Sequence, residues 1–227
     1  MRTLAIDIGG TGLKVMVLDE AGEPLTERGR VETPRPATPE SVVQALVDLC
    51  ADQGPFDRVS CGFPGVVTDG VVYNAPNLDE GWPGFELADV LAERLKKPTR
   101  VANDADVQGY GAVEGKGVEL VITLGTGLGS ALFIEGVLVP NLELGHHPFR
   151  KGKTYEQVLG SVALKSGRKK DWRSDVAEAV GCLERLFNYR KLFIGGGNAK
   201  KLKDGLPDNV QVVDNRAGLL GGIALWR

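Results

Sequence analysis

This 227-residue chain is poor in several features that mark whole classes of protein. Its three cysteines, Cys50, Cys61 and Cys182, are scattered, odd in number and without metal-ligand spacing. That excludes a disulfide framework and fits a reducing compartment. Its two histidines, His146 and His147, are adjacent, and the stretch around them lacks the further donors that a zinc site needs. No apolar run approaches the ~20 residues of a membrane span. The start, Met1-Arg2-Thr3, runs into a strand containing Asp7 rather than into a signal peptide. The reading is a soluble, cytoplasmic protein with no membrane partner. Net charge is only −3, so no global basic field advertises nucleic acid, and a polyanionic ligand would need local basic patches. No G-x-x-x-x-G-K-[ST] occurs, which excludes the common P-loop route to a phosphate.

What the chain does have is glycine, placed in turns. Leu120-Val121-Ile122-Thr123-Leu124 reads as a buried strand, stops at Gly125-Thr126-Gly127-Leu128-Gly129-Ser130, and resumes as Ala131-Leu132-Phe133-Ile134. Strand, glycine turn, strand is a hairpin. Alternate glycines let successive backbone N–H groups aim into one concavity, since no Cβ blocks an anion. A second copy lies near the start: Leu4–Ile8, the turn Gly9-Gly10-Thr11-Gly12, then Lys14–Leu18. Two such hairpins could grip two ends of a phosphate chain.

Strands and helices alternate along the rest of the chain, which argues α/β. A strand is expected around Leu25 to Val31, and a helix capped by Thr38 with Pro39 at its first position. A long amide-rich loop, Asn74-Ala75-Pro76-Asn77-Leu78, suits binding. A helix from about Leu87 to Lys97 follows. Strand Arg100-Val101-Ala102 delivers Asn103-Asp104-Ala105-Asp106 to a helix placed at Val107 to Val113, so Asn103 reads either as a cap or as a ligand-binding amide. The second strand of the central hairpin is expected to run on to Val139. Thr154 caps a helix carrying Glu156, Val158, Leu159 and Leu164. Further helices are expected from Ser174 to about Tyr189 and from Ala217 to Trp226, with a third glycine turn, Gly195-Gly196-Gly197-Asn198, between them.

Taken in order, Asp7-x-Gly9-Gly10-Thr11-x-x-Lys14, Phe63-Pro64-Gly65, Asn103-Asp104-Ala105, Leu124-Gly125-Thr126-Gly127-Leu128-Gly129, Glu143-Leu144-Gly145-His146 and Gly195-Gly196-Gly197 resemble the ROK family of bacterial sugar kinases and repressors over nearly the whole length. Val137 to His146 looks most like its polyphosphate glucokinases and polyphosphate/ATP glucomannokinases. The resemblance implies an actin-like, ribonuclease H-like fold, duplicated into two lobes with an active-site cleft between them: residues 1–104, and residues 105–227 with the last helix packing back on the first lobe. It implies phosphorylation of glucose or a close hexose at the 6-hydroxyl from polyphosphate and/or ATP. A sugar kinase of the same family using ATP alone on mannose, fructose or an N-acetylhexosamine is the alternative.

The same resemblance assigns roles. Asp104 would be the general base. Gly65, Asn77, Asn103, Glu143, His146 and Glu156 would hold the sugar. Gly9, Gly10, Thr11, Gly125, Thr126 and Gly127 would hold donor phosphates, and Gly196 and Gly197 would approach an adenosine. Asp7 would sit near Mg²⁺, and Lys14 reads either as an added positive charge or as a surface lysine. The family's cysteine-rich zinc motif is replaced by Gly152-Lys153-Thr154-Tyr155-Glu156, so no zinc is expected. A homodimer is implied, and no N-terminal DNA-binding module is expected ahead of the strand at Thr3. Three basic runs are candidate polyphosphate tracks: Arg150, Lys151 and Lys153; Lys165, Arg168, Lys169 and Lys170; and Lys200, Lys201 and Lys203.

Overall fold

The computed structural model describes residues 1–166, 169–202, 205–213 and 221–226, with Lys169 and Lys170 as helix backbone only. These residues form two compact units: residues 1–111 together with 221–226, and residues 112–213.

Unit 1 is built on a five-stranded sheet of order β3-β2-β1-β4-β7. Its elements are β1 (Thr3–Ile8), β2 (Leu13–Leu18), β3 (Gly29–Val31), α1 (Pro39–Cys50), β4 (Arg58–Phe63), the small hairpin β5 (Val67–Thr68) and β6 (Val71–Val72), α2 (Leu87–Leu95), β7 (Thr99–Asn103) and α3 (Asp104–Tyr110). β1 pairs antiparallel with β2 and parallel with β4, and β4 pairs parallel with β7. Leu4, Ile6, Leu13 and Val15 meet Val42, Val43 and Leu46 of α1 in one core with Phe63 and Trp82. α1 starts where its sequence says it should: Thr38 accepts from Ser41 N–H and Pro39 follows.

The strand expected at 25–31 is only Gly29–Val31. Upstream of it the Thr26 hydroxyl takes the Val17 N–H at 3.0 Å, so a side chain replaces a ladder bond. α2 ends at Leu95, two residues short of Lys97, because Lys96 turns left-handed (φ 52°). α3 begins at Asp104 rather than at Val107. The C-terminal residues Gly221–Trp226 form a 3₁₀ turn, and residues 217–220 of the expected final helix lie outside the described residues. The turn packs on unit 1, where Trp226 Nε1 donates to Ser60 Oγ at 2.9 Å and the Arg58 and Arg100 guanidiniums lie over the indole at 5.1 and 4.6 Å.

Unit 2 repeats the sheet. Its order is β10-β9-β8-β13-β14, again two antiparallel pairings followed by two parallel ones. The elements are β8 (Val118–Leu124), β9 (Leu128–Ile134), β10 (Val137–Val139), the hairpin β11 (Pro148–Arg150) and β12 (Lys153–Thr154), α4 (Tyr155–Leu159), α5 (Ser161–Ser166), α6 (Lys169–Phe187), β13 (Lys191–Gly195) and β14 (Val210–Val212). The expected long second strand divides into β9 and β10 because Glu135 (φ 51°) and Gly136 (φ 78°) make a two-residue turn. The expected helix after Thr154 divides at Gly160, whose extended backbone ends α4. α6 starts five residues before Ser174, anchored by the buried Trp172, whose Nε1 donates to Leu159 O at 2.9 Å. Leu120, Ile122 and Leu124 pack with Trp172, Val176, Val180 and Leu183 in this unit's core.

Candidate active site

Unit 1 gathers the first set of expected residues on β1, its turn and the C-terminal ends of β4 and β7. Gly9 N–H donates to Gly12 O at 3.1 Å and closes the turn, leaving Thr11 exposed at the tip. Behind it, Asp7 and Lys14 are cross-strand partners, and Lys14 Nζ donates to Asp7 Oδ2 at 2.7 Å. Lys14 is therefore neither an idle surface lysine nor an uncommitted charge. Thr33 Oγ1 donates to Gly9 O at 2.5 Å and Arg35 to Gly10 O at 2.7 Å, so two residues of the extended connector brace the turn. A Cβ on Gly10 would sit 3.2 Å from Asn77 O, which places the exposed Asn77 loop directly against this turn.

Asn103 resolves as a cap. Its Oδ1 accepts from Ala105 N–H at 2.8 Å and Asp106 N–H at 3.3 Å, and its Nδ2 donates to Gly65 O at 3.0 Å. The buried amide thereby fixes two things: the start of α3, where half-buried Asp104 is the first residue, and the position of Gly65. Gly65 is small for a packing reason, since a Cβ there would lie 2.1 Å from Asn74 O. Gly62 does the same for Asp104, whose Cα would be 3.4 Å from a Cβ at that position. No sequence signal singled out Gly62.

Unit 2 gathers the second set. Gly125 N–H donates to Gly127 O at 3.1 Å, and Thr126 is exposed at the tip. Gly125 O is held by Ser161 Oγ at 2.6 Å, Ser161 N–H at 3.1 Å and Asn198 Nδ2 at 3.1 Å. With that carbonyl turned into the fold, the Gly125 side of the turn stays open: a Cβ there would meet nothing within 4 Å. Ser161 carried no signal in the sequence; Asn198 stood in the third glycine turn without a role. Gly196 (φ +86°) is required by close approach, because a Cβ would come within 2.5 Å of Leu124 O, whereas one on Gly197 would enter open space.

Glu156 lies against this turn. It accepts from Leu128 N–H at 3.2 Å, and a Cβ on Gly127 would fall 2.0 Å from its Oε2. Glu143 faces His146 at 3.4 Å. Burial raises the Glu143 carboxyl above its ordinary range, His146 opposes that, and nearby Glu156 adds to it. The arrangement groups Glu143, His146 and Glu156 as neighbours, two acceptors and an imidazole suited to a polyhydroxylated ligand. His147 turns elsewhere, with Nδ1 3.0 Å from Pro148 O. Among the described residues no group of three or more His, Cys, Asp and Glu side chains could hold a metal. Two of the thiols are unsuited to chemistry: burial pushes Cys50 up to about 12 and Cys61 well above its ordinary value.

The basic runs divide. Arg150 is spent on Asp175 and on Glu178, the latter at 2.5 Å. Lys201 Nζ donates to Asn198 Oδ1 at 2.8 Å, while Lys151, Lys153, Lys165 and Lys200 are exposed. Arg168 and Lys203 lie outside the described residues, as do the side chains of Lys169 and Lys170.

Residues 3–155, with Asp104, the Asn77 loop, both glycine hairpins and the Glu143–His146 pair among them, match the ROK family. The chain belongs to that family. Within it, the chain is 31% identical over 233 residues to the polyphosphate glucokinase of Mycobacterium tuberculosis, which covers 95% of this chain and 88% of that protein. It also matches the inorganic polyphosphate/ATP-glucomannokinase of Arthrobacter sp. strain KM with a TM-score of 0.90 and 36% identity, over 100% of this chain and 99% of the other. A ROK family glucokinase from Streptomyces griseus, in complex with glucose and AMPPNP, shares the fold with a TM-score of 0.82 at 24% identity, over 99% of each chain. The duplicated, actin-like α/β fold read from the ROK chain's sequence is the fold it has.

Proposed function

We propose that this chain is a sugar kinase that transfers a phosphoryl group to the 6-hydroxyl of glucose or a close hexose, with polyphosphate and/or ATP as donor. The observation that carries the reading is the seating of Asp104 at the first position of α3, between the Asn103 cap and the small Gly62. A carboxylate so fixed can accept the hydroxyl proton as the new P–O bond forms; phosphoryl transfer asks the protein for positioning more than for covalent work. Full-length similarity to a polyphosphate glucokinase and to a polyphosphate/ATP-glucomannokinase supports the sugar and donor classes.

Unit 1 supplies the base and the Asn77 amide. Asn103 and Gly65 are proposed sugar-binding residues, and Asn103 also holds the start of α3 and the Gly65 carbonyl in place. Unit 2 supplies Glu143, His146 and Glu156 for the remaining hydroxyls. The glycine turns supply N–H groups, and Thr11 and Thr126 hydroxyls, to donor phosphates, while Gly197 offers an open surface to an adenosine. Asp7 fits Mg²⁺ as one half-exposed carboxylate at the foot of a phosphate turn, the kind of site that holds a largely hydrated ion shared with phosphates. When bound, that ion neutralises phosphate charge. The same reading makes the protein a cytoplasmic homodimer without structural zinc.

The second reading is an ATP-only kinase acting on another sugar. It is favoured by 34% identity over 146 residues to the N-acetylmannosamine kinase of Haemophilus influenzae, although that match covers 61% of this chain and 48% of that protein. A coupled assay of glucose, mannose, fructose and N-acetylmannosamine against ATP and polyphosphate decides. Turnover of N-acetylmannosamine with ATP, and none of glucose with either donor, would replace the first reading by the second.

A further inference from the structure

The basic runs legible in the sequence leave unanswered where a chain of linked phosphates would lie. Two arginines outside those runs are placed on the first phosphate turn itself. Arg30, on β3, packs across Gly12: a Cβ on that glycine would lie 3.3 Å from Arg30 Nε and 3.6 Å from its Nη2. Arg35 donates to Gly10 O at 2.7 Å from the connector that follows β3. Both side chains are exposed, and Arg30 has no carboxylate partner among the described residues. Arg35 has Asp79 only at 3.7 Å, a separation that neutralises little in water. Lys14, the third cation at this turn, is by contrast paired with Asp7 at 2.7 Å.

We propose that Arg30 and Arg35 form an anion track beside the Gly9–Gly12 turn that binds the linked phosphates of an inorganic polyphosphate chain. The inference rests on the reading of this turn as a donor-phosphate site. Guanidinium groups suit the ligand because they stay charged, are weakly hydrated and present paired N–H donors to phosphate oxygens. Two of them on one turn add contacts that a nucleotide triphosphate, with three phosphates already shared among turn N–H groups and Mg²⁺, does not need. A polyphosphate has further phosphates to offer.

The test is the double variant R30A/R35A in the full chain, with R30K/R35K as the charge-keeping control. Equilibrium binding of inorganic polyphosphate is measured at several salt concentrations, and KM is measured for polyphosphate and for ATP. The expected result is a loss of polyphosphate affinity of about tenfold or more, with the slope of log affinity against log salt flattened by about 1.4, the value for two contacts to a flexible single-stranded polyanion. KM for polyphosphate should rise at least fivefold more than KM for ATP, and the lysine pair should recover most of the salt slope. Equal rises for both donors, or an unchanged salt slope, would overturn the track. Binding and kinetics separate this inference from the proposed function. A wild type that binds polyphosphate through the two arginines yet phosphorylates no sugar sinks the function and keeps the track. A wild type that spends polyphosphate on glucose while the double variant matches it does the reverse.

Discussion

The two glycine hairpins occupy the same place in two sheets of the same strand order, yet they are built differently behind the turn. In unit 1 the register pair one step back from the turn is Asp7 and Lys14, an ion pair at 2.7 Å. In unit 2 the pair in that place is Thr123 and Gly129, joined by a hydroxyl that accepts the Gly129 N–H at 3.2 Å. The first turn is braced through its carbonyls by Thr33 and Arg35; the second by Ser161 and Asn198, neutral groups only. Each turn also leans on a candidate sugar residue, Asn77 in one unit and Glu156 in the other. One motif is therefore braced in two ways: an ion pair and an arginine stand behind the turn in the unit that holds Asp104, and uncharged groups do so behind the turn in the other, with Glu156 at its side.

The largest expected effect tests where the chemistry lies. Asp104→Asn should lower kcat by ~10²-fold or more, the usual scale for a general base, while glucose affinity measured by calorimetry changes little. Near-normal turnover would move the base elsewhere, with Asp106 the next carboxylate to replace. Next comes the contrast at the hairpin necks. Asp7→Asn should reduce kcat by ~10-fold or more and raise the Mg²⁺ concentration needed for half-maximal rate, whereas Thr123→Ala should cost less than about threefold, because only the first neck carries charge. Equal losses would mean that the two turns do the same work.

A third substitution separates packing from ligand space in the third glycine turn. Gly196→Ala should destabilise the protein by roughly 1–3 kcal/mol or more, given its left-handed φ of 86° and a Cβ within 2.5 Å of a backbone oxygen; Gly197→Ala should cost well under that. Urea midpoints for the two variants give the comparison directly, and matching midpoints would refute it.

The smallest effect is a pH dependence in unit 2 that the solvent-exposed Asn77 of unit 1 cannot show. Burial first, then neighbouring Glu156, raises the Glu143 pKa above the ordinary 4.5, against His146. A carboxyl raised in the folded state holds its proton better there than in the unfolded chain. Its penalty on stability is therefore present at neutral pH, shrinks as pH falls through the raised value, and vanishes below about 4.5. Glu143→Gln should thus raise the melting temperature slightly at pH 7 and not at pH 4. In the wild type, glucose affinity should weaken as pH drops toward that titration; a profile down to pH 4 identical to that of Glu143→Gln would exclude it.

Much of this was readable in advance because the signals are local. Alternating apolar runs broken by glycine give hairpins whatever surrounds them, and Thr38-Pro39 and Thr154 start helices through hydrogen bonds made within one turn. What misled was longer in range. The helix expected from Ser174 begins at Lys169, where buried Trp172 reaches Leu159 O and holds that first turn. Asn103 could be a cap or a ligand in sequence, and only the nearness of Gly65 O and α3 makes it the cap.

The alternation of strand and helix signals by itself determined the α/β class, because those signals are local, and the ordered motifs carried the resemblance to the ROK family and placed a carboxylate directly after Asn103. Tertiary structure alone decided which small residues are required by packing and which face open space, which cations are already neutralised, and which side chains brace each turn. Those outcomes depend on residues far apart in the chain, Gly10 with Arg35 and Asn77, Gly125 with Ser161 and Asn198, being brought within hydrogen-bond or van der Waals reach. Sequence spacing does not encode such distances; close packing of the folded chain does.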